Sequence, residues 1–333
     1  MEHRALGQGG PKVHPIGYGA MSFSDFYGPT TEAASHAILD MCRDVGVTHL
    51  DTANVYGMGA SESAIGSYFA ANPAAKTEFT IATKAAITRD PETNRRYFDN
   101  SPAHFEAELD RSLQRLGLEC VDLFYAHRRD ADMPMAEIAG NLARLVEKGK
   151  AKSIGLSEVA PNALRQAHAE HPIAAVQSEY SLSVRSPELG LIQTCAELGT
   201  AVVAFSPVGR SLLTDAPLPL DQVQTLGFLA TNPRFIEPNY SANIAATDAF
   251  RALAAKMGVP AAGLAIAWVL AQGPHVIAIP GTRSTQHFAE IMAAAEITLG
   301  ADDLAQIEAV LPVGWAHGDR YSAAQWIGPE RYC

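Results

Sequence analysis

Short apolar extended runs and amphipathic helical stretches alternate along this chain eight times, and that rhythm constrains the fold more than any other property of the sequence. A helix joining two strands carries the chain back across a face of the sheet, so successive strands must run parallel. Strands are predicted near Ile16, Leu50, Ile81, Leu123, Ile154, Val176, Val203 and Ile277. Among the intervening helices, one runs from Thr31 to Asp44 behind a Thr-Thr-Glu capping sequence. Another starts at Ser101-Pro102 and reaches Leu116, and a third spans Pro134 to Lys148 and stops at Gly149. A hairpin turning at Gly7 to Gly10 precedes the first unit. No Gly/Ser spacer, long charge block or low-complexity tract divides the 333 residues. The pattern predicts one α/β domain over 1–333, a parallel barrel with an N-terminal β-hairpin and a C-terminal tail. The longest interruption, Val208 to Thr247, contains APLPLDQ and TNPRFIEPNY, too rich in proline and turn residues for one regular helix. It is predicted to be a long loop after strand 7 that serves as a lid on the barrel mouth.

Four ionisable residues fall at the ends of these units: Asp51 and Tyr56 in LDTANVYG, Lys84 in IATK and His127 in DLFYAHR. Asp51, Lys84 and His127 each follow a buried-strand pattern and are 33 and 43 residues apart, room for one helix and one strand per step. All three should project from the same end of neighbouring strands, with Tyr56 on the loop above Asp51, at the face where barrel enzymes keep their chemistry. A phenol titrates near ~10 in water, and a nearby ammonium favours its phenolate. Lys84 is expected to supply that charge, Asp51 to keep Lys84 ionised, and His127 to donate a hydrogen bond to an incoming oxygen. Such a set can protonate an alkoxide as it forms. The alternative for any single member is a structural or merely exposed residue.

Against 25 Lys and Arg stand 36 Asp and Glu, a formal charge of −11, which argues against a general nucleic-acid or anionic-membrane surface. The start, MEHRALGQGGPK, has no apolar signal core, and no run approaches the ~20 apolar residues of a membrane span. Cys42, Cys120, Cys195 and Cys333 are far apart and are expected to be buried reduced thiols, consistent with a soluble protein of the cytoplasm. No His, Cys, Asp or Glu cluster has metal-ligand spacing, and no metal is expected. Gly17-Tyr18-Gly19 lacks the rest of a dinucleotide fingerprint and is not read as one. Phe23, Phe26 and Tyr27 can roof a substrate pocket or pack locally; their place after the first strand favours the pocket. His49, two residues before Asp51, should point into the barrel as a buried, hydrogen-bonded side chain. The tail GWAHGDRYSAAQWIGPERYC either closes over the mouth or packs against another subunit of a homo-oligomer.

DTANVYG, the strand-end lysine and the strand-end histidine resemble the aldo-keto reductase superfamily. GYGAMSFSDFYGP, GLSE, QSEYSL, AFSPVGRSLL, NPRF and IPGTRS extend that resemblance along nearly the whole chain, most closely to the pyridoxal reductase and auxin-induced-type branch. The resemblance implies a (β/α)8 TIM barrel that reduces aldehydes or ketones, a small-molecule carbonyl being the partner and NADPH/NADP+ the cofactor. It implies Tyr56 as general acid, Asp51 and Lys84 as its pKa-lowering pair, and His127 as the residue orienting the carbonyl. Around the nicotinamide it implies Gly19, Ala20, Met21, Ser157 and Gln177, with Phe205 as the stacking ring. Around the phosphates and adenosine it implies Ser206, Pro207, Val208, Gly209, Ser211, Gly281, Thr282, Arg283, Gln286 and Glu290. Arg283, whose planar fork suits a 2′-phosphate, favours NADPH over NADH; the alternative is a solvated helix N-terminus or a surface ion pair. The chain departs from many relatives in having Glu158 for Asn, Phe205 for Tyr, and Ile291 after Glu290. A dehydrogenase working oxidatively on sugars or alcohols and a slowly turning nucleotide-sensing subunit are the competing readings.

Overall fold

Period-two alternation along eight short strands sorts the side chains into an inner and an outer layer. The structure is a computed structural model describing residues 2–332. Its strands are β1 (Tyr18–Gly19), β2 (His49–Asp51), β3 (Thr80–Ala85), β4 (Leu123–Ala126), β5 (Ile154–Ser157), β6 (Ile173–Glu179), β7 (Ala201–Phe205) and β8 (Val276–Ile279). They pair in parallel in sequence order from β1 to β8. A parallel bridge between Ile16 and Ala278 closes the barrel, reinforced by Gly17 N donating to Ala278 O at 2.8 Å. The first strand is thus shorter than the apolar pattern suggested, its Ile16 end contributing one bridge.

Ala82, Leu123, Tyr125, Ala175, Ala201, Val203, Ile277 and Ile279 fill the barrel, and Leu6 and Val13 of the N-terminal hairpin (Arg4–Ala5 with Lys12–Val13) plug its base. Gly155 makes room for the Tyr125 ring: a Cβ there would lie 2.5 Å from two ring carbons and 2.8 Å from Ala175 O. The other parity, including Leu50, Ile81, Phe124, Leu156 and Val202, faces the helices. Burying one such side chain stabilises by roughly 1.5–3 kcal/mol, so a slip of one residue in any strand would expose a whole row.

The helices follow their local signals. Helix α1 (Glu32–Asp44) is capped by Thr31 Oγ1, which accepts from Ala34 N at 3.2 Å. After α2 (Ala60–Ala71), α3 (Pro102–Leu116) has Ser101 Oγ accepting from His104 N, with Pro102 in its first turn. Pro134 caps α4 (Met135–Glu147), and Gly149 turns away at φ 70°. Then come α5 (Pro161–Glu170) and α6 (Leu191–Leu198).

Two regions differ from expectation. Residues 208–247 contain α7 (Leu220–Thr225) and α8 (Asn239–Ala246) and bury their own small core of Leu212, Val223, Leu226, Leu229, Phe235 and Tyr240. The proline-rich segments therefore separate short elements that pack on one another. Between β3 and α3, an outer hairpin pairs Ile87–Arg89 with Arg96–Phe98, flanking the turn-rich DPETN. Beyond α8 lie α9 (Asp248–Met257) and α10 (Ala261–Leu270), the latter with all ten residues buried, and after β8 come α11 (Thr285–Met292) and α12 (Ala301–Val310). No single helix among the described residues is long and apolar enough to cross a membrane. Cys42 and Cys195 are buried free thiols, whereas Cys120 is half-buried; Cys333 lies outside the described residues.

Candidate active site

Inward parity carries the chemistry to the mouth of the barrel. Asp51 is the next inward position above His49, Lys84 above Ala82, and His127 above Tyr125. Lys84 Nζ donates to Asp51 Oδ1 and, at 2.5 Å, to Thr52 O; Gln177 Nε2 donates to the other carboxylate oxygen of Asp51 at 2.7 Å. Both charges are thus matched although Lys84 is fully buried and Asp51 nearly so. Lys84 Nζ lies 5.1 Å from the Tyr56 ring centre, and the His127 ring meets Tyr56 edge-on at 5.8 Å. The structure brings all four residues together.

Burial dominates their protonation. It raises the Tyr56 phenol well above its ordinary value, and Asp51 pushes in the same direction against Arg128. The expectation of a phenol drawn below its ordinary value is therefore reversed: burial and the Asp51 carboxylate outweigh the surrounding cations. Burial also lowers Lys84, opposed by Asp51. Burial, followed by the fields of Arg128, Lys84 and Arg96, holds His127 well below the ordinary imidazole value. The imidazole is neutral at physiological pH and can donate one ring N–H. Below this layer, His49 is fully buried, but neither ring nitrogen has a hydrogen-bond partner among the described residues, contrary to expectation.

Around the other half of the mouth, buried carboxylates meet arginines. Glu158 and Glu179 are each 3% exposed and Arg320 7%. Arg320 pairs with Glu158 at 2.7 Å and with Glu179 at 2.9 Å; Arg210 also donates to Glu179 at 2.9 Å. Burial pushes Glu179 up, but Arg210 and Arg320 outweigh it and hold the carboxyl at about 2. The tail thus closes on its own barrel. Glu330 pairs with Arg129 and accepts from Ala160 N, Asn232 Nδ2 donates to Arg320 O at 2.8 Å, and Gln325 Nε2 to Phe228 O at 3.0 Å. These contacts join the tail to the loops after β4 and β5 and to the long segment after β7. Backbone strain collects here too: Met58, Ala86, Glu158, Ser206, Arg210 and Ser211, all non-glycine, have φ between 52° and 126° and follow strand ends.

The residues implied for the cofactor fall into two groups. Gly19, Ala20 and Met21 run from β1 into a 3-10 turn, where Ala20 O accepts from Ser61 Oγ. Ser157 and Gln177 lie at the ends of β5 and β6, with Ser157 Oγ accepting from Arg128 Nη1 at 2.9 Å; Phe205 is half-buried at the end of β7. Ser206, Pro207 and Val208 lead to the 3-10 turn Gly209–Ser211, where Ser211 Oγ accepts from Leu218 N. Past β8, Gly281, Thr282 and Arg283 enter α11, which Ser284 caps; Arg283 Nη1 donates to Pro29 O at 2.6 Å and pairs with no carboxylate among the described residues. Gln286 Nε2 donates to Glu290 on that helix at 3.4 Å. Phe23 is not a pocket residue: it is 3% exposed and packs on Tyr18 at 5.0 Å inside the core. Phe26 and Tyr27 do face the mouth, Phe26 against Phe228 at 5.6 Å and Tyr27 beside Arg210.

Sequence reasoning missed Arg128, Glu179, Arg210 and Arg320. Parity offered one signal: Glu179 is two residues beyond Gln177 on the inward face, and a buried carboxylate requires a cation.

Comparison with known proteins gives a concordant result. The Aldo/keto reductase family matches residues 15–312. The aldo-keto reductase yakc, NADP(+), of Schizosaccharomyces pombe is 35% identical over 316 residues, covering 94% of this chain and 93% of that protein. Probable aldo-keto reductase 1 of Glycine max is 36% identical over 317 residues, covering 95% and 90%. The solved glycerol dehydrogenase of Gluconobacter oxydans superposes with a TM-score of 0.80 at 27% identity, covering 93% of this chain and 94% of that one. With a closed eight-stranded parallel barrel and the Asp51, Tyr56, Lys84 and His127 group at its mouth, this chain belongs to the aldo/keto reductase family.

Proposed function

We propose that residues 1–333 form one catalytic domain that uses NADPH to reduce aldehydes or ketones to alcohols. The observation carrying this reading is the convergence of a protonated phenol, a neutral imidazole and a buried ion pair at one end of the barrel. Tyr56 keeps its proton because burial raises its pKa, and it gives that proton to the oxygen as negative charge develops there. His127 donates its N–H to the same oxygen and orients the carbonyl. Lys84, fixed by Asp51, is the cation that stabilises the phenolate left behind.

The residues beyond β7 and β8 fit a phosphorylated dinucleotide. Left-handed turns at Ser206 and Gly209–Ser211, the capped N-terminus of α11 and the guanidinium of Arg283, which pairs with no carboxylate among the described residues, follow the adjacent strands β7 and β8, barrel positions suited to phosphate. When bound, the dihydronicotinamide supplies the hydride. Phe205 offers a stacking face and Ser157 a hydroxyl for the carboxamide. Gln177 and Glu158 are already engaged, with Asp51 and with Arg320. The yeast relative's name supports NADP. The three free thiols among the described residues are compatible with a reducing cytoplasm. Pyridoxal is a candidate substrate, resting on branch resemblance.

The test is NADPH consumption by the purified protein against pyridoxal, aromatic aldehydes, methylglyoxal and aldoses, with Tyr56→Phe in parallel. The variant is expected to slow the chemical step by roughly 10²- to 10⁴-fold while binding NADPH normally. Equal activity would end the assignment. Arg283→Ala should weaken NADPH far more than NADH; equal losses would remove its phosphate role. Because a structural neighbour is a glycerol dehydrogenase, oxidation of glycerol and other alcohols with NADP+ belongs in the same assay.

A further inference from the structure

We infer that the substrate of this site carries an anionic group, a carboxylate or phosphate near its carbonyl, and that Arg128 and Arg96 receive it. The inference rests on the reductase reading above and names the class of carbonyl compound.

Arginines at the mouth divide into two kinds. Arg210, Arg320 and Arg129 are matched by Glu179, Glu158 and Glu330. Arg128 and Arg96 have no carboxylate within ion-pair distance among the described residues, in a chain whose net charge is −11. Both are partly buried, and burial, followed by the fields of Arg128 and Arg89, lowers Arg96. Cations held together without counter-charge are costly, and an arriving anion relieves that cost.

Their placement excludes the dinucleotide phosphates as the natural counter-charge. Arg128 follows β4 and Arg96 lies on the outer hairpin between β3 and α3, whereas Arg283 and the phosphate-suited turns follow β7 and β8. In an eight-stranded ring, β4 and β8 are on opposite sides. Arg128 is instead tied to a reacting residue, its Nη1 donating to His127 O, and the charges of both arginines act on the His127 ring. An anion held by Arg128 is therefore on the same side of the mouth as an oxygen held by His127 and Tyr56.

Both guanidinium groups are also oriented in advance. Arg128 Nη1 donates to His127 O at 2.7 Å and to Ser157 Oγ, leaving Nε and Nη2 without protein partners among the described residues. Arg96 Nη2 donates to Ala324 O and Ile327 O of the tail, and its guanidinium lies over the Phe98 ring at 5.7 Å. Gly328 lets the tail pass close by: a Cβ there would lie 2.6 Å from Phe98 and 3.2 Å from Arg128 Cδ. A fixed guanidinium fork pairs two donors with two oxygens of a carboxylate or phosphate at little further entropic cost.

The test compares kcat/KM within matched substrate pairs: 4-formylbenzoate against its methyl ester for the carboxylate, and glyceraldehyde 3-phosphate against glyceraldehyde for the phosphate. The wild type is expected to prefer the charged member of at least one pair by about 10- to 100-fold, chiefly through KM. The pair showing the larger ratio names the anion. Arg128→Met should bring that ratio close to one, Arg128→Lys should restore part of it, and Arg96→Gln should lower it by a smaller factor. Reduction of the neutral members with no preference for the charged ones would overturn the inference and leave the reductase reading standing. A preference unchanged in Arg128→Met, or equal losses on both members, would likewise overturn it, leaving Arg128 as a support for Ser157. Turnover of neither member of either pair, nor of pyridoxal, methylglyoxal or the aldoses, would end the reductase reading, and this inference with it.

Discussion

Asp51 and Lys84 sit on adjacent strands and meet because parity points both inward, whereas Glu158 and Glu179 meet Arg320 because the tail folds back across 141 residues or more. Both sides of the mouth bury carboxylates, and both match them with cations. On the β2–β4 side, however, the match is part of the barrel and exists whenever the barrel does. On the β5–β7 side it depends on a separate docking event, tied down by Arg129 with Glu330 and by Asn232 with the Arg320 carbonyl. The two halves of the mouth should therefore respond differently to disruption, the first failing with the fold and the second ahead of it.

The largest effect is expected of Lys84→Met, which leaves Asp51 buried with the Gln177 amide as its one side-chain partner among the described residues. It is expected to cost about 3–5 kcal/mol of global stability, measured by denaturant unfolding, with loss of turnover. A cost confined to the tail would contradict the distinction.

Acid should release the other side first. Glu179 has a folded value of about 2 against an ordinary 4.5, so its stabilisation is complete above pH 4.5 and is lost as pH falls towards 2. The difference corresponds to roughly 3 kcal/mol. Hydrogen exchange should show residues 319–326 losing protection over that interval before the barrel strands do. Simultaneous loss everywhere would make the tail part of the barrel's cooperative unit.

The smallest effect is expected at His127. Its folded pKa lies well below the ordinary 6.5, so the imidazole remains neutral as pH falls from 8 to 6, and kcat/KM for carbonyl reduction should show no inflection from it. A fall centred near 6.5 that disappears in His127→Gln would show that burial and the neighbouring cations do not hold it neutral.

Much of the architecture was legible from local signals. Strand positions followed from apolar runs, and the helix starts at Thr31, Ser101 and Pro134 from capping residues whose hydrogen bonds or backbone geometry are local. The convergence of Asp51, Lys84 and His127 was readable because parity and strand order suffice for it. Phe23 was misplaced because FSDFY does not say which aromatic turns into the core; it packs on Tyr18, which in turn meets Phe288 from the far end of the chain. Residues 208–247 read as one loop because their core is assembled from segments too short to show a period. His49 was expected to find a partner, yet its ring is enclosed by the barrel interior.

Alternation, capping and strand parity act over a few residues, so the barrel, its strand order and the set of ionisable groups at its mouth follow from the order of the amino acids. How those groups are charged, and which arginines are matched, depends on the packed fold. Burial reversed the expected direction at Tyr56, and the docked tail supplied Arg320 to the carboxylates while leaving Arg128 and Arg96 without one among the described residues. Desolvation and long-range ion pairing depend on everything within several ångströms of a charge, and that neighbourhood is assembled from segments more than a hundred residues apart.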